Sequence, residues 1–157
     1  MTGDIFKKLA FFEGFSTGQL AQLRPFFELC DCPPEMVIFT QGASAIYLYI
    51  VVAGEVLVEY KPYDAPPMTI ARVKPGGIFG WSAALGNQTY TSGAVSTTYT
   101  QLLRVQGEEL RYLCENHPDI SEIILERLAN VIAERHNVHP QVMAILESGL
   151  RNGKSGG

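Results

Sequence analysis

The spacing of hydrophobic and polar positions changes twice along this chain and divides it into three parts. Residues 5–24 carry apolar side chains at helical spacing, and Ser16 and Gln19 form a capping-box pattern that opens a second short helix. Between residues 27 and 105 the apolar positions come in short runs that are rich in β-branched and aromatic side chains. Beyond Gly107 the helical spacing returns. The pattern therefore predicts helices, then strands, then helices.

The central part predicts eight short strands, because proline and glycine residues separate its apolar runs. The predicted strands cover residues 27–32, 36–40, 47–53, 55–60, 68–73, 77–79, 93–97 and 100–105. In the fourth strand, Val56 and Val58 alternate with Glu55 and Glu59, which predicts one buried face and one solvated face. Several short strands at even spacing indicate a sandwich or a barrel.

The C-terminal part predicts a short helix over 108–115 and a long helix that begins at Pro118. Its apolar row has heptad-like spacing and runs through Ile124, Leu128, Val131, Arg135, Val138, Val142 and Ile145. Pro140 removes a backbone donor, so we expect a break near residues 136–139 and two helices. The row either packs on the chain's own β-structure or forms a homodimer through helix 119–137, and the sequence leaves both open.

Composition indicates one domain without a nucleic-acid surface. The chain has 157 residues, 46% of them hydrophobic, which is enough for one core and too few for two ordinary domains. We expect a single domain over 1–148, with helices to residue 148, and a flexible tail over 149–157. The net charge is −4 and no basic stripe occurs, so direct DNA binding is not expected. No membrane span or signal peptide is evident, which predicts a cytoplasmic protein.

The positions of cysteine and histidine argue against a metal-dependent enzyme. Cys30 and Cys32 form one close pair, but no second pair completes a metal site. The three histidines fall in the C-terminal helical part, whereas a metal-dependent enzyme on a cupin-like barrel needs them at alternating strand positions. We therefore predict no catalytic residue, no metal site and no enzyme activity.

The segment between the sixth and seventh predicted strands suits a phosphate group. Gly77 and Gly80 allow tight turns of the backbone. Residues 82–85 can form one helical turn, whose free N–H groups would face an anion. Thr91 and Ser92, which follow, carry hydroxyl groups that can donate hydrogen bonds.

This segment, with the strands before it, resembles the phosphate-binding cassette of the cyclic-nucleotide-binding domain family. The motifs that carry the resemblance appear in order between about residues 12 and 135 and are Val37-Ile38-Phe39-x-x-Gly42, Gly54-Glu55-Val56-x-Val58, Val73-x-x-Gly76-x-x-Phe79-Gly80 and Ser92-Gly93-Ala94-Val95. The resemblance implies a mainly β fold with flanking helices: an eight-stranded, jelly-roll-like β-roll, or double-stranded β-helix. It also implies that cAMP or cGMP lies in the roll beneath the last long helix. The ligand-binding positions implied are Phe79, Gly80, Trp81, Ser82, Ala83, Thr91 and Ser92.

Two cassette positions depart from the family pattern in charge. Trp81 stands where the family has the glutamate that holds the ribose hydroxyl, and Thr91 stands where it has the arginine that pairs with the cyclic phosphate. Loss of the arginine–phosphate pair removes roughly 1.5–3 kcal/mol of binding free energy. We therefore expect a stand-alone regulatory or sensor module with weak, altered or lost cAMP and cGMP binding, in which movement of the last helix carries the signal.

The sequence leaves three questions open. Trp81 either fills the pocket as part of the core or stacks on a flat ligand. Arg72 and Arg104 are candidates to replace the missing charge, although both are expected to extend to solvent. The alternative function is a structural, partner-binding or dimerisation module without a small-molecule ligand, and the sequence does not identify its protein partner.

Overall fold

The computed structural model describes residues 5–138, with side chains as far as Arg135, and its centre is built from eight strands. They are β1 (Phe27–Cys32), β2 (Val37–Phe39), β3 (Tyr47–Ala53), β4 (Val56–Tyr60), β5 (Met68–Val73), β6 (Ile78–Phe79), β7 (Gly93–Ser96) and β8 (Thr100–Gln106). All eight predicted strands are confirmed, and each predicted end lies within one residue of the observed end. The mainly β fold with flanking helices is therefore confirmed.

The strands form two antiparallel sheets that enclose a common interior. One sheet has the order β1-β8-β3-β6 and the other has the order β2-β7-β4-β5. Strand β3 shows how the first sheet is buried on both faces, because side chains alternate across a strand. Leu48 and Ile50 belong to a core shared with the helices, whereas Tyr49 and Val51 belong to the core inside the roll. The first sheet therefore carries the helices on one side and the roll interior on the other.

Short helices open the chain and longer ones follow the roll. They are α1 (Ile5–Lys8), α2 (Thr17–Leu23), α3 (Gly107–Asn116) and α4 (Pro118–Val138), with 3₁₀ turns at Ala10–Phe12 and Arg24–Phe26. The capping box is confirmed: the Gln19 N–H donates to Ser16 Oγ at 3.1 Å, and the Ser16 N–H donates to Gln19 Oε1 at 2.8 Å. No helix within residues 5–138 has both the length and the apolar character needed to cross a bilayer.

Helix α4 begins at Pro118 as predicted, and its first half packs on the chain itself. The side chains of Ile120, Ile124 and Leu128 are at most 3% exposed. This half of the apolar row therefore contributes to the domain's own core rather than forming an open seam. The break expected at Pro140, the second helix and the tail over 149–157 lie outside the described residues.

Candidate functional site: the cassette turn and the helix that covers it

The connection between β6 and β7 forms one compact turn. The Leu85 N–H donates to the Trp81 carbonyl at 3.0 Å, and the Asn87 N–H donates to the Ser82 carbonyl at 3.0 Å. The N–H groups of Ser82 and Ala84 donate to no acceptor among residues 5–138. Two backbone donors of the turn are therefore unused, one of them on the buried Ser82, and free N–H groups are a requirement of an anion cradle.

The helical turn predicted over 82–85 is present as one turn of hydrogen bonds, and it does not continue into a regular helix. Gly80 and Gly86 explain the limit. Their φ angles are +77° and +81°, in the left-handed region that ends a right-handed helix. With one such residue before the segment and one after it, there is room for a single turn.

The cassette turn is fixed to the first helix after the roll. The Arg111 guanidinium donates to the Ala83 carbonyl. Gly107 lies directly against Ala83, and its N–H donates to the Ile46 carbonyl at 2.8 Å. Ala83 is 1% exposed and Ser82 is 4% exposed, so both predicted site residues form part of the packed wall.

Stacked aromatic rings fill the interior of the roll beside the cassette. The rings of Phe39 and Tyr90 stack with centroids 3.6 Å apart, and those of Tyr49 and Phe79 stack with centroids 5.0 Å apart. The Tyr90 hydroxyl donates to the Tyr47 carbonyl at 2.6 Å and accepts from the Tyr47 N–H at 3.0 Å. Burial raises the pKa of Tyr90, which keeps this hydroxyl protonated at neutral pH. Tyr90, which immediately precedes Thr91, is therefore a core side chain.

Trp81 contacts both cores and lies beneath helix α4. The Arg135 guanidinium lies over the indole, 4.7 Å from the ring centroid, and donates to the Ile78 carbonyl. Burial lowers the pKa of Arg135 to about 10, so the group is still a cation at neutral pH. Of the two roles left open for Trp81, the structure shows core packing together with stacking, and the stacked group is the protein's own Arg135.

Thr91 and Ser92 lie half-buried at the entrance to β7. Their hydroxyl groups form no hydrogen bond with the described residues. Phe79, another predicted site residue, is fully buried. The structure therefore separates the predicted site residues into two groups. Phe79, Ser82 and Ala83 are buried, whereas Gly80, Trp81, Thr91 and Ser92 keep partial exposure.

The sequence model of the cyclic nucleotide-binding domain matches residues 30–117, which is more than half of the chain. The chain belongs to the cyclic nucleotide-binding domain family. It is 24% identical over 134 residues to a curated protein named CRP-like cAMP-activated global transcriptional regulator, from Mycobacterium tuberculosis. The aligned part covers 85% of this chain and 60% of that relative.

Solved structures of the same fold include a cyclic nucleotide-binding domain from Methylobacillus flagellatus. Its TM-score is 0.75 at 23% identity, with 89% of this chain and 79% of that chain covered. A regulatory subunit of a cAMP-independent protein kinase A from Trypanosoma cruzi, bound to guanosine, has a TM-score of 0.74 at 19% identity. The match covers 92% of this chain and 49% of that subunit. At these identities the likeness shows the fold.

Two further arginines of this cyclic nucleotide-binding domain lie on its strands, and both are already paired. Arg72 is largely exposed, as expected, and pairs with Glu55 at 3.2 Å. Arg104 differs from the expectation, because it lies over the Tyr47 ring at 4.1 Å and pairs with Glu28 at 2.5 Å. Its side chain is 29% exposed. Neither arginine contacts the cassette turn in a described interaction.

The described residues offer no metal-binding cluster. Within 5–138, no three His, Cys, Asp or Glu side chains group as metal ligands would. Burial, with a smaller contribution from Cys32, raises the pKa of Cys30 to about 11, so this thiol stays protonated at neutral pH. Cys30 therefore lacks the thiolate character that makes a cysteine a strong nucleophile.

Sequence reasoning missed two features of this site. The first is the aromatic filling by Phe39, Tyr49 and Tyr90, for which the only signal was the density of aromatic residues on neighbouring strands. The second is Arg135, which the heptad-like row assigned to a helix seam. The charged member of an otherwise apolar row could have been noticed, but its contact with Ile78 spans 57 residues.

Proposed function

We propose that this chain is a non-enzymatic regulatory sensor module whose cassette no longer depends on a cyclic phosphate, so that cAMP and cGMP bind weakly or not at all. One observation supports this most strongly. Trp81 and Thr91 occupy the two positions that carry charge in the family pattern, and the Arg135 guanidinium covers one face of the Trp81 indole.

Without its arginine, the cassette binds a cyclic phosphate with less free energy. The N–H groups of Ser82 and Ala84 still provide neutral donors at the cassette turn. A hydrogen bond to a charged group contributes about 1.5–3 kcal/mol, and a bidentate arginine adds geometry as well as charge. Thr91 offers one hydroxyl in its place. Backbone donors alone therefore leave the affinity for a cyclic phosphate roughly 10-fold to 150-fold lower than a cassette with its arginine.

A ligand without a charged phosphate loses nothing at Thr91. The regulatory subunit from T. cruzi that shares this fold is bound to guanosine and is described as cAMP-independent. We therefore propose an uncharged nucleoside as the class of small molecule to test beside the cyclic nucleotides. The regulatory role itself follows the family, and we place the module in the cytoplasm.

A second candidate function is partner binding or homodimer formation through helix 119–137. Leu125 on α4 is 58% exposed and Tyr112 on α3 is 65% exposed. A shallow apolar depression of about 200 Å³ lies between these helices and the cassette turn, lined by Ala84, Cys114 and Leu128 among others. Exposed apolar side chains around such a depression favour a protein contact there. Sedimentation of the wild type and of Leu125→Glu distinguishes the candidates, because only a dimer through this face dissociates in the variant.

Calorimetric titration with cAMP, cGMP and guanosine tests the proposed sensor. We expect both cyclic nucleotides to bind weakly, with dissociation constants roughly 10-fold to 150-fold higher than a cassette with its arginine would give, because the phosphate lacks its cationic partner. Micromolar binding of either cyclic nucleotide would contradict the proposal. The same titration of heat-unfolded protein serves as the baseline for non-specific heats.

A further inference from the structure

Helix α4 is held differently along its two halves. Its first half is anchored by the buried side chains of Ile120, Ile124 and Leu128. Polar contacts add to this, because the Gln19 side chain donates to Asp119 Oδ2 at 2.6 Å and the Arg127 guanidinium donates to the Glu13 carbonyl.

The second half of α4 has much weaker apolar anchoring. After Leu128, the side chains of Val131 and Ile132 are only half-buried, and the intervening residues are exposed. The described polar contact of this half with the roll is made by Arg135, to the Ile78 carbonyl and the Trp81 ring. Detaching Arg135 therefore removes the described polar restraint on this half and leaves only the half-buried side chains of Val131 and Ile132 against the two cores.

The Arg135 cation has these two contacts and the neighbouring carboxylate of Glu134, whose charge opposes the effect of burial on its pKa. Arg135 forms no salt bridge with a carboxylate among the described residues. Its partners are a carbonyl oxygen and the negative face of an indole, both of which stabilise a partly desolvated cation. Trp81 therefore belongs to the wall of the cassette and also contacts the helix that covers it, through Arg135.

We propose that Trp81 and Arg135 form a latch that holds the second half of α4 closed over the cassette without any ligand. The proposal deepens the proposed function, because the side chain that replaces the ribose-binding glutamate now binds the covering helix instead. A flat ligand that stacks on Trp81 has to displace Arg135, so such a ligand releases α4. Regulation at this site then works through opening of a helix that is closed at rest.

Hydrogen–deuterium exchange of the ligand-free protein tests the latch. Arg135→Met keeps the length of the side chain and removes the charge. We expect exchange of the amides of residues 129–135 to rise about twofold to thirtyfold, the range that corresponds to losing a cation–π contact. Trp81 is the single tryptophan of the chain, so its fluorescence reports the same event. Acrylamide quenching of Trp81 is expected to increase in Arg135→Met.

Four further variants test whether the effect is specific to the contact between Trp81 and Arg135. Arg72→Met removes an exposed cation elsewhere on the domain and should leave both signals unchanged. Trp81→Leu should raise the exchange of residues 129–135 as Arg135→Met does, and the double variant should add little beyond either single change. Trp81→Phe, the milder change, retains a weaker ring contact and should give an intermediate rate.

The latch is refuted if residues 129–135 exchange at the wild-type rate in Arg135→Met, or if the two single effects simply add. It is equally refuted if protection falls by the same factor in β8, since the contact then only supports global stability. No nucleotide is present in these measurements. Tight binding of cAMP would therefore overturn the proposed function without changing the outcome for the latch.

Discussion

Replacing Gly107 with alanine is expected to destabilise the domain by about 3 kcal/mol or more. A Cβ atom at this position would lie closer than 3.0 Å to the carbonyl carbon and oxygen of Ala83, a separation that real Cβ atoms do not show. Both are backbone atoms of the cassette turn, so no side chain can rotate away. Either α3 or the turn has to move, and the hydrogen bond from Gly107 to Ile46 is strained as well. Urea unfolding of the variant measures the loss.

Gly18→Ala is the matched control, because Gly18 also lies in a helix. A Cβ atom there would find its nearest neighbour, Ser16 Oγ, at 3.9 Å, which is an ordinary contact. Alanine has the higher helix propensity, so we expect Gly18→Ala to stabilise the domain by up to about 1 kcal/mol. Equal stabilities of the two variants would show that α3 and the cassette turn are not in the contact described.

Phe79→Ala is expected to cost about 3–5 kcal/mol of the free energy of unfolding. Phe79 is fully buried, its ring stacks on Tyr49 at an interplanar angle of 8°, and Phe39 lies 6.0 Å away. Removing the ring leaves a cavity inside the roll that the two remaining aromatic side chains cannot close without leaving their stacked positions. The change in the free energy of unfolding from urea titration gives the value.

Tyr63→Ala is the control for loss of an aromatic side chain, since Tyr63 is 93% exposed. Its expected effect is within about 0.5 kcal/mol. A Phe79→Ala variant as stable as Tyr63→Ala would mean that the roll interior is open rather than filled. That result would also restore room for a ligand and weaken the argument against tight nucleotide binding.

The strands were predictable because local signals decide them. Proline and glycine mark the turns, and the alternation around Val56 and Val58 puts those two side chains at 0% and 3% exposure. The capping box of Ser16 and Gln19 is local in the same sense, since its two hydrogen bonds join residues three apart. Elements that depend on neighbours in sequence were therefore found with the correct bounds.

The site was less predictable because long-range contacts decide it. Residues 5–12 have uniform helical spacing, but the chain forms α1 and then a 3₁₀ turn, so that Phe11 and Phe12 enter the core. Nothing in the spacing of α4 indicates that Arg135 turns toward Trp81 instead of continuing the seam. The cassette resemblance located the correct turn, whereas the side chains that fill and cover it come from β2, β3 and α4.

Calorimetric titration of wild type and Thr91→Arg with cAMP, side by side, tests the central claim most directly. By that claim, a cyclic phosphate binds weakly because Thr91 leaves it without a cationic partner, while backbone donors remain at the turn. Thr98→Arg, at an exposed position outside the cassette, controls for the added charge. We predict weak binding by the wild type and by Thr98→Arg, and an affinity about 10-fold to 150-fold higher for Thr91→Arg. Micromolar binding by the wild type, with no gain in Thr91→Arg, would contradict the account.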